Sequence, residues 1–166
     1  MKKFSKKIDT TEIIENIIGI NSELISKVAS EINNNNKEYI LLLIKKLHPA
    51  DTADLLETLS NEERKRLVYI LKDDFPAETL PAVNVPILID IIEDFKIEHL
   101  AKMLLELDTD DIIYVLEICE EKLRRKIVKS LPKDLQSLIR KALNYDEDSA
   151  GRIMQTDYVS IPVSWN

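Results

Sequence analysis

Stepping by twelve from Leu47 meets an apolar residue nine times in succession: Leu47, Leu59, Leu71, Val83, Phe95, Leu107, Cys119, Leu131 and Leu143. The positions four earlier are Leu43, Leu55, Leu67, Thr79, Ile91, Met103, Val115, Ile127 and Ile139, apolar but for Thr79. The positions three earlier are Ile44, Leu56, Val68, Leu80, Ile92, Leu104, Leu116, Val128 and Arg140, apolar but for the last. Residues three and four apart share one helix face. Each unit therefore carries a short apolar stripe toward the end of a short helix.

The residue after each stripe marks a break: His48, Ser60, Lys72, Asn84, Lys96, Asp108, Glu120, Pro132 and Asn144. Ser, Asn and Asp suit an N-cap, where a side-chain oxygen accepts from free N–H groups of the next helix. Ser60-Asn61-Glu62-Glu63 reads as a capping box, and Asp108-Thr109-Asp110-Asp111 as its acidic variant. Pro49, Pro86 and Pro132 fall at first-turn positions, where a missing N–H costs nothing. A helix of roughly ten residues is only about 15 Å long. Such a helix is marginal alone and needs neighbours. The reading is an all-α fold, a superhelical α-solenoid of helix pairs repeating every 24 residues. Phe75–Val83, with Pro76 and Pro81, is the least regular unit and is expected to hold a distorted or shortened helix.

Composition agrees. The 166 residues contain only 2 glycines and 5% aromatics, which disfavours glycine-turned β-folds and phosphate loops. Hydrophobic residues are 45% and charged residues 32%, enough for a packed core. The single cysteine excludes an internal disulfide, and no Cys/His cluster of zinc-binding spacing exists. The net charge is −7, although Met1–Ile8 holds four lysines and no acid. An acidic body repels nucleic acid and anionic membrane surfaces and attracts cations or basic partners. The longest apolar runs, such as Tyr39–Ile44, fall far short of the roughly 18 residues that cross a bilayer, so the chain itself is expected to be soluble.

Three segments follow from this pattern. Residues 1–36 form a helix-bearing extension, in which 9–33 reads as one longer amphipathic helix with Gly19 inside it. Residues 37–144 carry the repeats. Residues 145–166 form a polar link, a helical turn at Ala150–Met154 and the strand-like run Tyr158–Val163, taken as the first strand of a further domain.

No catalytic constellation appears, and the chain is not read as an enzyme. His48 and His99 lie 51 residues apart, Cys119 belongs to the apolar series, and no serine has a nucleophile-elbow setting. The acidic groups are the one chemical feature, among them Asp73-Asp74, Glu78, Glu93-Asp94, Asp110-Asp111 and Asp146-Glu147-Asp148. Acids at helix starts ordinarily serve the dipole and the free N–H groups. They also suit a hard cation, because Mg²⁺ takes oxygen ligands in octahedral geometry and keeps most of its waters.

From Leu47-His48-Pro49-Ala50-Asp51 to Asp148-Ser149-Ala150-Gly151-Arg152-Ile153-Met154 the sequence resembles the cytosolic N-terminal domain of MgtE magnesium channels. The HPAD opening, the breaks at Leu59–Glu63 and Leu107–Asp111, and the exit from Tyr145 to Met154 carry the resemblance, which spans about residues 37–166. Thr156–Ile161 is similar to the start of the family's first CBS domain.

The resemblance implies a right-handed superhelix and a regulatory role. The N domain and a CBS pair would form a sensor on the cytoplasmic face of the membrane, attached to the transmembrane pore of a homodimeric parent. Mg²⁺ bridging carboxylates between N and CBS domains would favour the closed channel. By position, the resemblance makes Glu78 and Asp110 metal-facing, with Asp111 as an adjacent candidate. Some related sequences have a second aspartate four residues after Asp110, and here that position is Tyr114. The alternative reading is a helical-repeat scaffold that binds a partner protein without sensing metal, since the flagellar motor switch protein has a similar superhelical style.

Overall fold

The computed structural model describes residues 20–146 and 149–151. Among these there are nine α-helices and no strand. They are α1 (Ser22–Asn33), α2 (Lys37–Ile44), α3 (Pro49–Thr58), α4 (Asn61–Leu71), α5 (Val85–Asp94), α6 (Ile97–Leu104), α7 (Thr109–Ile118), α8 (Glu121–Ser130) and α9 (Lys133–Ala142). Two 3₁₀ segments, Lys72–Asp74 and Ala77–Ala82, lie between α4 and α5. The chain divides between Ile87 and Leu88 into two compact units.

The twelve-residue beat is the burial pattern. Every residue of the series Leu43 to Ile139 is buried, Thr79 included. The series three before the beat is buried from Ile44 to Val128, and only Arg140 is exposed. The beat residues themselves are buried or half-buried throughout. The break residues His48, Ser60, Lys96, Asp108, Glu120 and Pro132 are N-caps, and Asn84 accepts from the Ile87 N–H at 3.2 Å in the same role. Pro132 thus sits one position before the first turn, and Pro49 is its first residue. Asn36 caps α2 and extends the phase one unit back.

At the tightest joints two extended residues separate the helices. Leu59 (ψ 148) and Ser60 (ψ 158) make one such joint, and Leu131 (ψ 161) and Pro132 (ψ 146) make another. The first residue of each joint goes into the core and the second starts the next helix. Two extended residues leave about ten for the helix, and this sets the period.

In the first unit α1 packs on α2 and α4, α2 on α4, and α3 on the 3₁₀ segment Ala77–Ala82. In the second unit α6 packs on α8, α7 on α9, and α8 on α9. Elements two positions apart are therefore neighbours within each unit, as a 24-residue helix-pair repeat requires. The first core is built on Val28, Ile32, Ile40, Leu43, Leu55, Leu67 and Leu80, and the second on Leu88, Ile91, Leu100, Leu104, Ile127 and Ile139.

Two local features depart from the plain pattern. The expected single helix over 9–33 is not continuous, because α1 begins only at Ser22. Asn21 is extended (φ −120°, ψ 165°) and its side chain accepts from the Leu24 N–H at 2.8 Å, so the cap interrupts any helix entering from Gly19. The irregular unit is as expected: around Pro81 the chain forms a 3₁₀ segment instead of an α-helix. Entry to it is strained at Lys72, whose φ is +35°. The strand expected at Tyr158–Val163 and the last three residues of the turn at Ala150–Met154 lie outside the described residues.

Candidate functional site

Glu78 is held by its neighbours. It lies in the first turn of the 3₁₀ segment that follows Pro76, between Ala77 and Thr79, both buried. The flanking side chains fix the turn against α3, and the Glu78 carboxylate is left exposed.

Asp110 and Asp111 are in the first turn of α7, after the N-cap Asp108 and the buried Thr109. Ile112 and Ile113 anchor that turn in the core of the second unit. Asp110 is half-buried, and its Oδ1 is buried without a hydrogen-bond partner. Asp111 is half-buried as well. Tyr114, one turn after Asp110, is 38% exposed, so this face of α7 presents a phenol beside the carboxylate. Glu78 belongs to the first unit and the two aspartates to the second. Among the described residues no three His, Cys, Asp or Glu side chains gather as a metal-holding group.

The other chemistry-bearing residues have structural employment. The His48 Nδ1 accepts from the Ala50 N–H at 3.2 Å. His99 stacks on Phe95 with ring centroids 4.9 Å apart. The Cys119 thiol donates to the Val115 carbonyl at 3.3 Å, and burial pushes its pKa up to about 11 against the lowering effect of Arg124. A thiol so held is a poor nucleophile at neutral pH.

One feature escaped the reading of the sequence. A cleft on α8 and α9 is lined by Arg124, Arg125, Lys129 and Arg140. The signal was available in the local charge balance. Residues 121–143 hold eight basic and two acidic side chains, +6, inside a chain whose net charge is −7.

The fold is that of an all-α helical-repeat domain whose helix starts carry carboxylates. The sequence matches the MgtE intracellular N domain over residues 47–148, and the chain belongs to that family. The resemblance read from the HPAD opening and the acidic breaks is thereby borne out. The fold is also similar to the crystal structure of the soluble part of a magnesium transporter, with a TM-score of 0.72 at 22% identity. That likeness covers 84% of this chain and 55% of the other, so the chain spans little more than half of that structure's length. Among curated proteins the sequence finds no match. No helix of the described residues is long and apolar enough to cross a membrane.

Proposed function

We propose that this domain is the regulatory Mg²⁺ sensor of an MgtE-type magnesium channel, acting on the cytoplasmic face of the membrane. In this reading Glu78, Asp110 and Asp111 are half-sites. Carboxylates of a CBS module in the same homodimeric parent complete them, and the transmembrane pore responds.

The observation that carries the reading, beyond family membership, is the state of Asp110. A carboxylate oxygen buried without a donor is unfavourable by roughly 1–3 kcal/mol. The charge is shared by both oxygens, so a cation bound to the outer one relieves it. Mg²⁺ fits this donor set, since it binds through one or two carboxylates and keeps several waters. The exposed Glu78 supports the same role, because nothing in its own 3₁₀ turn caps or buries it.

The mechanism is electrostatic. Without Mg²⁺, acidic faces of the sensor and its partner repel, and the domain separates. With Mg²⁺ between them the repulsion becomes attraction, and the compact, closed state gains population. The ion shifts the equilibrium only by its differential affinity for the two states.

Two measurements test this. In the parent channel, Glu78→Gln with Asp110→Asn is expected to raise the Mg²⁺ concentration that closes the pore, and an unchanged closing concentration overturns the reading. In this chain alone, Mg²⁺ titration followed by amide shifts is expected to perturb Glu78 and Asp110–Asp111 weakly. Shifts centred elsewhere, with those residues silent, overturn the site assignment.

A further inference from the structure

The cleft on α8 and α9 runs against the character of the rest of the chain. Removing residues 121–143 from the count leaves −13 on the remainder, so the positive charge is concentrated here. Three of the chain's six arginines, Arg124, Arg125 and Arg140, line this one cleft, together with Lys129. Glu121 is also on the rim and pairs with Arg125 across one helical turn. Among the described residues the side chains of Arg124, Lys129 and Arg140 form no hydrogen bond or ion pair, and only their backbones are engaged, as in the Arg124 N–H to the Glu120 carbonyl. No acidic side chain among the described residues pairs with them.

The cleft has a volume of about 490 Å³, and its apolar lining comes from Val128, which is 7% exposed, and the half-buried Leu143. That size lies within the range of small-molecule sites, roughly 300–1,000 Å³. It is an open, shallow concavity along two packed helices. Arginine is the side chain matched to oxyanions, because its planar guanidinium offers parallel N–H donors. The cations arrive from two helices, Arg124 and Lys129 on α8 and Arg140 on α9. A planar carboxylate has acceptors along one edge only. A tetrahedral phosphoryl group presents three oxygens and accepts from several sides at once.

We propose that the cleft formed by Arg124, Lys129 and Arg140, over the floor of Val128 and Leu143, is a binding site for a phosphate-bearing anion. The phosphoryl group sits among the three free cations, and a less polar part of the ligand covers the floor. This site is separate from the carboxylates assigned to Mg²⁺ and does not depend on that assignment. The phosphoryl group comes either from a free phosphorylated molecule or from a lipid headgroup, and the same chemistry serves both.

The test uses the full chain. Inorganic pyrophosphate is titrated at constant ionic strength, with amide shifts and calorimetry as readouts. Saturable binding that perturbs α8 and α9 supports the site. Arg140→Ala and Lys129→Gln change exposed side chains, and each is expected to weaken binding about tenfold, as loss of one charge-assisted contact does. Arg140→Lys keeps the charge but not the fork and is expected to restore only part of the affinity. Vesicles of phosphatidylcholine with phosphatidylglycerol distinguish the sources. Pyrophosphate-sensitive sedimentation with them assigns the phosphate to a headgroup, and binding of pyrophosphate without sedimentation assigns it to a free ligand. A response reproduced by sodium chloride at matched ionic strength overturns the proposal. So does binding of polyglutamate at these residues where pyrophosphate fails, which would make the cleft a dock for an acidic peptide.

Discussion

The Asn84 backbone N–H donates to the Glu57 carboxylate across 27 residues of sequence, at 2.7 Å. Asn84 in turn accepts from the Ile87 N–H at 3.2 Å and so starts α5. A side chain near the end of α3 therefore satisfies a donor at the point where the irregular segment ends. Glu57→Ala removes a charge-assisted bond at an exposed site and is expected to cost about 1 kcal/mol. Glu57→Gln keeps a neutral acceptor and is expected to cost about half as much. Urea unfolding of the two variants checks the order, and equal costs would show that packing of the side chain, not the bond, matters.

Thr79 stands where eight other units carry an apolar residue. Its side chain is fully buried, and its Oγ1 has no hydrogen-bond partner. The backbone does not need the hydroxyl, since the Thr79 N–H donates to the Pro76 carbonyl at 3.0 Å. Thr79→Val keeps the branched shape and removes the orphaned group. It is expected to stabilise the chain by about 1 kcal/mol in chemical denaturation. A loss of stability would mean that the hydroxyl is satisfied by a buried water.

Ser60 and Glu63 form a reciprocal cap at the start of α4. The Ser60 N–H donates to the Glu63 carboxylate at 3.0 Å, and the Glu63 N–H donates back to the Ser60 hydroxyl at 3.4 Å. The Ser60 side-chain and backbone bonds hold the Glu63 carboxyl below its ordinary value of 4.5, and Arg66 adds to the lowering. A depressed carboxyl pKa stabilises the fold above the unfolded value and loses that effect as pH falls through the folded one. Ser60→Ala is expected to cost about 1 kcal/mol near neutral pH. The gap between wild type and variant is expected to narrow below pH 4.5, leaving the part due to the bond from the Glu63 N–H to the Ser60 hydroxyl. Denaturation at a series of acid pH values measures it, and a gap independent of pH would exclude the carboxylate from the cap.

The repeat was legible because it is written twice, once in the buried stripe and once in the capping residues one position later. Either signal alone is common in helical proteins; their fixed phase is what set the joint and hence the fold. The interruption at Asn21 was less visible. Ile13–Ile32 keeps a helical apolar rhythm across it, and the claim of the Asn21 side chain on the Leu24 N–H is what starts α1 at Ser22. Asp110 was legible through its place in the acidic break, but the buried, unpartnered oxygen depends on how Ile112 and Ile113 seat the turn. The basic cleft was hidden by averaging, since a chain-wide balance of −7 conceals a local one of +6.

Cys119 supplies an alkaline counterpart to the acid-sensitive cap. Its thiol is 6% exposed, ends α7 and donates to the Val115 carbonyl. Burial raises its pKa from 9.0 to about 11, while Arg124 opposes the rise. The folded state therefore holds the thiol proton more tightly than the unfolded state does. Stability from this source is complete below pH 9 and declines as pH rises toward 11. The decline is expected to reach at most about 1 kcal/mol per pH unit. Cys119→Ala abolishes that slope whatever constant packing cost it carries, so the comparison separates ionisation from cavity formation. Arg124→Ala removes the opposing cation and is expected to move the window to higher pH. Thiol labelling gives an independent reading: reaction near neutral pH is expected to be slow in the folded chain and fast in urea. Equal labelling rates in the two states would place the sulfur in solvent and remove the basis for the alkaline slope.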